Sequence, residues 1–587
     1  MAPTPAVTAP ANINHVWAGL LVEELVRQGV GLFVVCPGSR SSPLAVAVAG
    51  ARDAEAVVHW DERAAAFVAL GWGRATGRPA AVVTTSGTAV ANLLPAAVEA
   101  DADGVPLLLL TADRPPELRE TGANQTVRQP PVFQDVARWT LDAPVPTSAV
   151  PARWVLSTAA HAVRRALAPP GPVHLNLPFR EPLGAQPDGT DVALYLAGLP
   201  THRSAPPTLA VPMEGGLLEG AASALLERER GLVVLADAGR GRLGDAADRL
   251  AAALGWPLLT DVRASSSPSA VGAYDLALAS ARMREALRPD AVLHVGGRLT
   301  SKRLGQLFAA ARPPLYVQVS ETPGRVDPDG LVTERLVGPL DAALAGITDH
   351  VEAARSGGET RGEGWRDAWR RASRAASETL GLAELSEPSV ARAVCEASAS
   401  ALVVAASMPI RDALTYGGGR AEVVANRGAS GIDGTVATAH GVARGRGGPV
   451  VLLAGDLALL HDQTSLALLR SGPPVVVVAV NNDGGGIFHR LPIADGVGAL
   501  DADTFERFFG TPHGLGFEDA ARQVGLAYYA PVTQAAFETA LDAALRSGAS
   551  ALVEVRTDRG EQAALRRRLE AAAAEAVDAA LGGLDAR

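Results

Sequence analysis

The sequence predicts an α/β protein built from three doubly wound parallel-sheet domains. Apolar runs such as VGLFVVCPG, GLVVLADAG and PVVLLAGDL are continuous rather than alternating, as in strands buried on both faces. Segments with helical spacing stand between these runs, so strand and helix alternate along the chain. At 587 residues the chain is too long for one hydrophobic core, and two boundary-like stretches cut it into three blocks.

The first block covers 12–190. NHVWAGLLVEELVRQG has helical spacing, VGLFVVCPG reads as a buried strand and turn, and DERAAAFVALGWGRATG as a helix. The strand PAAVVTTSG, the helix TAVANLLPAAVEA and the strand VPLLLLTAD follow, and GPVHLNLPFREPL closes the block. The loop-rich stretch from Gly184 to Gly216 reads as a linker. The second block, 215–350, repeats the theme in GLVVLADAG, WPLLTDV, AVLHVGG and PLYVQVS; polar, Gly-rich EAARSGGETRGEGW is the second boundary. The third block, 384–560, carries ALVVAASMP, AEVVANRG, PVVLLAGDL, PPVVVVAVNN and SALVEVRTD. The Ala-rich, charged tail, 561–587, is expected to be an exposed helix, with LRRRLEA a solvated face.

Hydrophobic content of 48% and charged content of 20% are those of an ordinary globular protein. A net charge of -10 and the lack of a long basic run argue against a nucleic-acid partner. An anionic substrate must then be held by locally placed Arg or Lys. Two cysteines, without metal-type spacing, make no disulfide framework, so a reducing cytoplasm is the expected setting. The first residues lack the basic and apolar regions of a signal peptide, and no apolar run is long enough for a bilayer.

The chemistry is concentrated at strand ends, where open parallel sheets bind ligands. Asp456 follows PVVLLAG, and Asn482 follows PPVVVVAVN, with 25 residues between them, enough for a helix and a strand. A carboxylate, an amide oxygen and a loop carbonyl suit Mg²⁺, which takes few protein ligands and completes its shell with phosphate and water. Glycines 484–486 are expected to let backbone N–H groups approach a diphosphate. Taken alone, Asp456 reads better as a helix N-cap, and Glu62 as a first-turn carboxylate favoured by the helix dipole.

This layout resembles the diphosphate-binding signature of thiamine-diphosphate enzymes, Gly-Asp-Gly followed some thirty residues on by Asn-Asn. Leu457 stands where that signature has its second Gly, a departure shared with the MenD family of the menaquinone pathway. PGSRSSPLA, HWDERAAAF, TSGTAVAN, TADRPPELRETGANQTVRQ, GGRLTSKRLGQ, ANRGASGIDG and NNDGGGIFHRLP are similar to the same family, in order and over nearly the whole chain. The resemblance implies three roles: a pyrimidine-binding domain at 12–190, a central domain at 215–350, and a diphosphate- and Mg-binding domain at 384–560. It implies thiamine diphosphate and Mg²⁺ (or Mn²⁺) as cofactors, and 2-oxoglutarate and isochorismate as substrates. The reaction implied is decarboxylation of the first and conjugate addition of its succinyl unit to the second.

Residue by residue, the resemblance assigns Glu62 to the aminopyrimidine ring, and Asp456, Asn482 and the Gly484 carbonyl to the metal. Ser86, Gly87, Gly455, Leu457 and Gly485 would line the cofactor, with Ile432 as the apolar wedge beneath it and Ile487 and Phe488 beside the thiazolium. Substrates with two carboxylates call for arginine, whose planar fork matches them. Arg40, Arg114, Arg411 and Arg427 are the matched positions, with Lys302 a further cation and Ser39, Asn124, Gln125 and Ser407 as hydrogen-bonding groups. Arg40, Gln125 and Arg411 would also serve catalysis; no His pair is present, and Gln125 with water is the expected substitute. A homodimer or homotetramer with sites shared between chains is implied as well.

The alternative within the superfamily is another 2-oxoacid decarboxylase or an acetohydroxyacid-synthase-like enzyme; Leu457 and the arginine set argue against it. A nicotinamide dehydrogenase lacks support, since no Gly-x-Gly-x-x-Gly follows the first strand. A degenerate, non-enzymatic paralogue is opposed by intact Glu62, Asp456 and Asn482.

Overall fold

The computed structural model describes residues 12–197, 199, 215–237, 243–264, 267–355, 362–418, 422–495 and 498–582. The middle of the first expected linker (200–214) and that of the second boundary (356–361) lie outside the described residues. The chain groups into two compact units. One is Met1–Thr208 with Asn426–Val450 and Leu460–Val475; the other is Leu209–Ala425, Val451–Leu459 and Val476–Arg587.

The first unit holds a six-stranded sheet of β1 (Leu32–Val35), β2 (Glu55–Val58), β3 (Ala80–Thr84), β4 (Leu107–Asp113), β5 (Trp139–Asp142) and β6 (Pro172–Pro178). The order is β2-β1-β3-β4-β6-β5, and every neighbouring pair is parallel, with Leu32 opposite both Glu55 and Ala80. β1, β3 and β4 are buried along their whole length, which is why they read as unbroken apolar runs. One face packs on the helices Ile13–Arg27 and Ala152–Leu167; the other packs on Glu62–Thr76. Asn12 caps the first helix by accepting from the His15 N–H, and Asp61 caps Glu62–Thr76 by accepting from the Ala64 N–H.

The helix Thr435–Arg446 also belongs to this unit and lies along Glu62–Thr76. A Cβ at Gly71 would collide with the Thr438 carbonyl, and one at Gly441 with the Val68 carbonyl, so only glycine permits this approach. Ala437 and Leu468 join the core on that face.

The second unit holds two sheets. The five-stranded one contains β7 (Gly231–Leu235), β8 (Leu258–Thr260), β9 (Ala291–Val295), β10 (Leu315–Ser320) and β11 (Glu334–Val337), ordered β11-β10-β9-β7-β8. The six-stranded one contains β12 (Ala401–Val404), β13 (Val423–Val424), β14 (Val450–Gly455), β15 (Val475–Asn481), β16 (Ala527–Tyr529) and β17 (Ala551–Arg556), ordered β13-β12-β14-β15-β17-β16. This repeats the order of the first sheet. In all three the chain doubles back beside its first strand, so switch points fall between β1 and β3, β7 and β9, and β12 and β14. The fold class expected from the sequence is therefore what is found.

Two sequence expectations are corrected. The tail is no exposed helix: Arg559–Leu581 buries Leu569, Ala573, Val577 and Leu581 in a core shared with Trp365 and Trp369. Within it Arg566, assigned to a solvated face, is buried and ion-paired. The first linker carries a short helix, Val192–Leu196, capped by Asp191. Val192, Tyr195 and Leu196 pack on the first core, and the Tyr195 hydroxyl donates to the Val150 carbonyl. Both cysteines are buried and free. No helix among the described residues is long and apolar enough to cross a membrane.

Candidate active site

In the first unit the candidate residues gather at the carboxyl edge of the sheet. Ser39 and Arg40 follow β1, Glu62 follows β2, Ser86 and Gly87 follow β3, and Arg114 follows β4. Arg114 donates to the Ser86 hydroxyl, which donates to the Gln125 carbonyl (3.1 Å). The Gln125 amide returns a bond to the Ser86 carbonyl (2.8 Å), and the Gly87 N–H donates to buried Gln129 (2.9 Å). Gln125 itself has φ 57°, a strained left-handed conformation fixed by these bonds.

Arg40 is buried, donates to the Phe179 carbonyl (2.9 Å) and faces Glu181 at 3.5 Å, while its Nε has no partner. Partial burial and the Arg40 guanidinium both push Arg114 below the usual guanidinium range. Two cations close enough to repel one another suit an anionic ligand.

Glu62 is the first residue of its helix, half-buried, and no hydrogen bond to its carboxylate is found among the described residues. Asp61 does the capping, and Glu62 is the acidic residue of the first turn, where the helix dipole favours a carboxylate. Burial, then the Glu62 and Asp61 carboxylates, push the Cys36 thiol at the end of β1 up. The loop carrying Arg427 and Ile432 is pinned by buried Glu99, which accepts from the Gly428 (2.9 Å) and Ala429 (2.6 Å) N–H groups.

In the second unit Asp456 and Asn482 stand just past the ends of adjacent strands β14 and β15. Asp456 is 2% exposed; Oδ1 accepts from the Leu457 N–H (2.7 Å) and Oδ2 from the N–H groups of Asn482 (3.1 Å) and Gly484 (2.9 Å). Burial pushes its carboxyl up, against the opposing pull of these N–H groups and His513. The Leu515 N–H donates to His513 Nδ1 (3.0 Å), so the ring proton sits on Nε2, which donates to Asp456 Oδ2 (3.2 Å).

The Asn pair divides its labour. Asn481 donates to Glu554 (2.7 Å) and the Leu515 carbonyl, a structural role. Asn482 donates its amide to Glu387 (2.8 Å), and its Oδ1 is buried without a partner among the described residues. An orphaned buried oxygen is costly unless something binds it.

The glycine loop differs from its expected use. The N–H of Gly484 serves Asp456, that of Gly485 serves the Gly510 carbonyl (2.7 Å), and that of Gly486 the Gly484 carbonyl (3.0 Å). Side chains at Gly484 and Gly485 would collide with the Gly510 and Phe509 carbonyls. These glycines therefore seat the chain's own 509–511 segment, and their N–H groups are not free for a diphosphate. Phe488 packs edge-on to Phe509, with Ile487 half-buried beside it.

Ser407, after β12, has φ 71° and accepts at its carbonyl from Arg411 (2.5 Å). Lys302 opens the helix after β9, exposed, and Ser39 and Asn124 are also exposed. No bond joins Lys302 or Asn124 to the other candidates among the described residues.

Residues 17–132 match the family model of the thiamine pyrophosphate enzyme N-terminal TPP binding domain, and 218–402 match the model described as middle domain of thiamine pyrophosphate. The chain is 52% identical over 576 residues to the 2-succinyl-5-enolpyruvyl-6-hydroxy-3-cyclohexene-1-carboxylate synthase of Rubrobacter xylanophilus, covering 95% of this chain and 98% of that protein. The chain belongs to this synthase family. The synthases of Salinibacter ruber and Chlorobaculum tepidum are 47% and 40% identical, over 97% and 95% of this chain and 98% and 97% of their own lengths.

The residues present fit the divalent metal that a thiamine-diphosphate synthase calls for. Asp456 supplies a fixed carboxylate, Asn482 an unpartnered oxygen, and Gly484 a carbonyl, an all-oxygen set suited to a hard cation. No cluster of three or more His, Cys, Asp or Glu that could hold a metal occurs among the described residues.

Sequence reasoning missed Glu387, Arg566 and His513. Only His513, in a Pro-His-Gly turn close after the glycine loop, carries a local signal that could have raised it.

Proposed function

We propose that this chain performs the reaction of its synthase relatives. Thiamine-diphosphate-dependent decarboxylation of 2-oxoglutarate is followed by conjugate addition of the succinyl unit to isochorismate, a step of menaquinone biosynthesis. The observation that carries the reading is the orphaned side-chain oxygen of Asn482, a residue whose backbone N–H donates to the fixed Asp456 carboxylate at the end of the neighbouring strand. Thiamine diphosphate, when bound, supplies the nucleophilic carbon and the electron sink that carbon dioxide loss requires.

The chain's residues do the rest. Asp456, Asn482 and the Gly484 carbonyl hold Mg²⁺ or Mn²⁺. Glu62, whose carboxylate has no hydrogen bond among the described residues, holds a proton against the aminopyrimidine ring. Ile432, Ile487 and Phe488 give the cofactor apolar walls. Arg40 and Arg114 take substrate carboxylates, with Arg411, Arg427 and Lys302 as further cations. Ser39, Asn124, Gln125 and Ser407 orient the same substrates. The first sheet serves as pyrimidine-binding domain (12–190) and the third as diphosphate-binding domain (384–560), with 215–350 a scaffold. The working enzyme is a cytoplasmic homodimer or homotetramer with sites shared between chains.

The test uses the purified chain with thiamine diphosphate, Mg²⁺ and 2-oxoglutarate. Carbon dioxide is expected only when isochorismate is added. Equal release without isochorismate, or acetolactate formed from pyruvate, points instead to a decarboxylase or an acetohydroxyacid-synthase-like enzyme.

A further inference from the structure

An asparagine offers a metal either its oxygen or its NH₂, and only the oxygen binds. What decides the orientation is the group on its other side. Asn482 Nδ2 donates to Glu387 Oε1 at 2.8 Å, and both residues are buried. A carboxylate only accepts, so it selects the NH₂ and turns Oδ1 away, toward the position where that oxygen is orphaned.

Glu387 is itself held on every side. Its Oε1 also accepts from the Thr557 hydroxyl (3.0 Å), its Oε2 from Arg566 Nη2 (2.5 Å), and its N–H donates to Gln562 (3.0 Å). Arg566 grips Asp412 by a fork, Nε to Oδ1 (2.9 Å) and Nη2 to Oδ2 (2.5 Å). Two buried carboxylates thus share one buried guanidinium, which holds both in place. Asp412 sits on the Met408–Tyr416 helix, next to Arg411, so one tail arginine fixes both a metal ligand's partner and the helix of a substrate-binding candidate.

We propose that Glu387, locked by Arg566 and Thr557, is a positioning residue that presents the Asn482 oxygen to the divalent metal. This rests on the metal-binding role proposed above for Asp456 and Asn482. Partners of metal ligands of this kind typically contribute about 10–100-fold in metal affinity.

Mn²⁺ is titrated into the full chain with thiamine diphosphate, and free Mn²⁺ is read by electron paramagnetic resonance. Glu387→Gln, whose amide accepts either orientation of Asn482, is expected to bind Mn²⁺ about 10–100-fold more weakly with unchanged circular dichroism. Asn482→Asp places two carboxylates face to face and is expected to bind as weakly. The double variant Glu387→Gln/Asn482→Asp restores a donor facing an acceptor, leaves an oxygen for the metal, and is expected to recover most of the affinity, which a merely structural role does not explain. Wild-type affinity in folded Glu387→Gln, or no recovery in a folded double variant, overturns the proposal. If the carboxylate variants fail to fold, Thr557→Val, which loosens Glu387 by one bond, is expected to weaken Mn²⁺ several-fold, and an unchanged affinity overturns the proposal. Absence of Mn²⁺ binding in the wild-type chain sinks the metal-site reading itself.

Discussion

Glu62 is a first-turn carboxylate with no hydrogen bond among the described residues, and Asp61, not Glu62, caps the helix. Glu62→Gln is therefore expected to leave the urea midpoint within about 0.5 kcal/mol of wild type. Turnover should fall about 10²–10⁴-fold, the range of a proton-transfer group; near-normal turnover would remove Glu62 from the mechanism. Asp462 shows a different physics. Burial pushes its carboxyl up to about 6, although Ser465 (2.7 Å) and the Ala437 N–H (3.0 Å) donate to it. A folded pKa above the unfolded 3.8 means that the folded state binds the proton more tightly. Its contribution to stability is thus lost as pH rises through about 6 and regained toward 4. The gain in urea midpoint between pH 7 and pH 5 should shrink in Asp462→Asn; an identical gain would show that other groups carry it. That the candidate residues sit at strand ends was legible in the sequence, because apolar runs announce where strands stop. Glu387 was not: it lies 95 residues from Asn482 and 179 from Arg566, and long-range packing leaves no local signature.

At the scale of elements, the strands legible in the sequence were the buried ones. Those that escaped it, β2, β5, β11 and β16, are edge strands. β2 and β11 each bury only one residue, and β5 and β16 none, so none forms a continuous apolar run. The tail helix misled for the opposite reason. Its apolar positions are mostly alanine among arginines and glutamates, and the mixture reads as surface until Trp365 and Trp369 are seen against it. The pairing of Glu62–Thr76 with Thr435–Arg446 depends on small residues at the crossing. Gly441→Val should destabilise the chain by about 3 kcal/mol, since overpacking against backbone cannot be relieved by a rotamer change. Urea unfolding measures this, and an unaltered midpoint would mean that the helices can part without cost.

At the scale of the whole molecule, an acidic chain of net charge -10 keeps its candidate anion-binding arginines at the carboxyl edges of its sheets, while arginines such as Arg74, Arg138, Arg249 and Arg522 are paired within salt bridges. The first unit is also discontinuous: residues 1–208 are completed by 426–450 and 460–475. A fragment ending at Thr208 should therefore bind a hydrophobic dye and aggregate, whereas a fragment that stays monodisperse and dye-silent would show the N-terminal sheet to be self-sufficient. The same discontinuity sets a schedule during synthesis. At roughly 5–20 residues per second, the ribosome needs on the order of ten seconds or more to reach the completing segments after the first sheet has emerged. Throughout that interval the nascent chain carries an alanine- and glycine-lined helix face with nothing against it, so the burden of guarding it falls on the cell's chaperones.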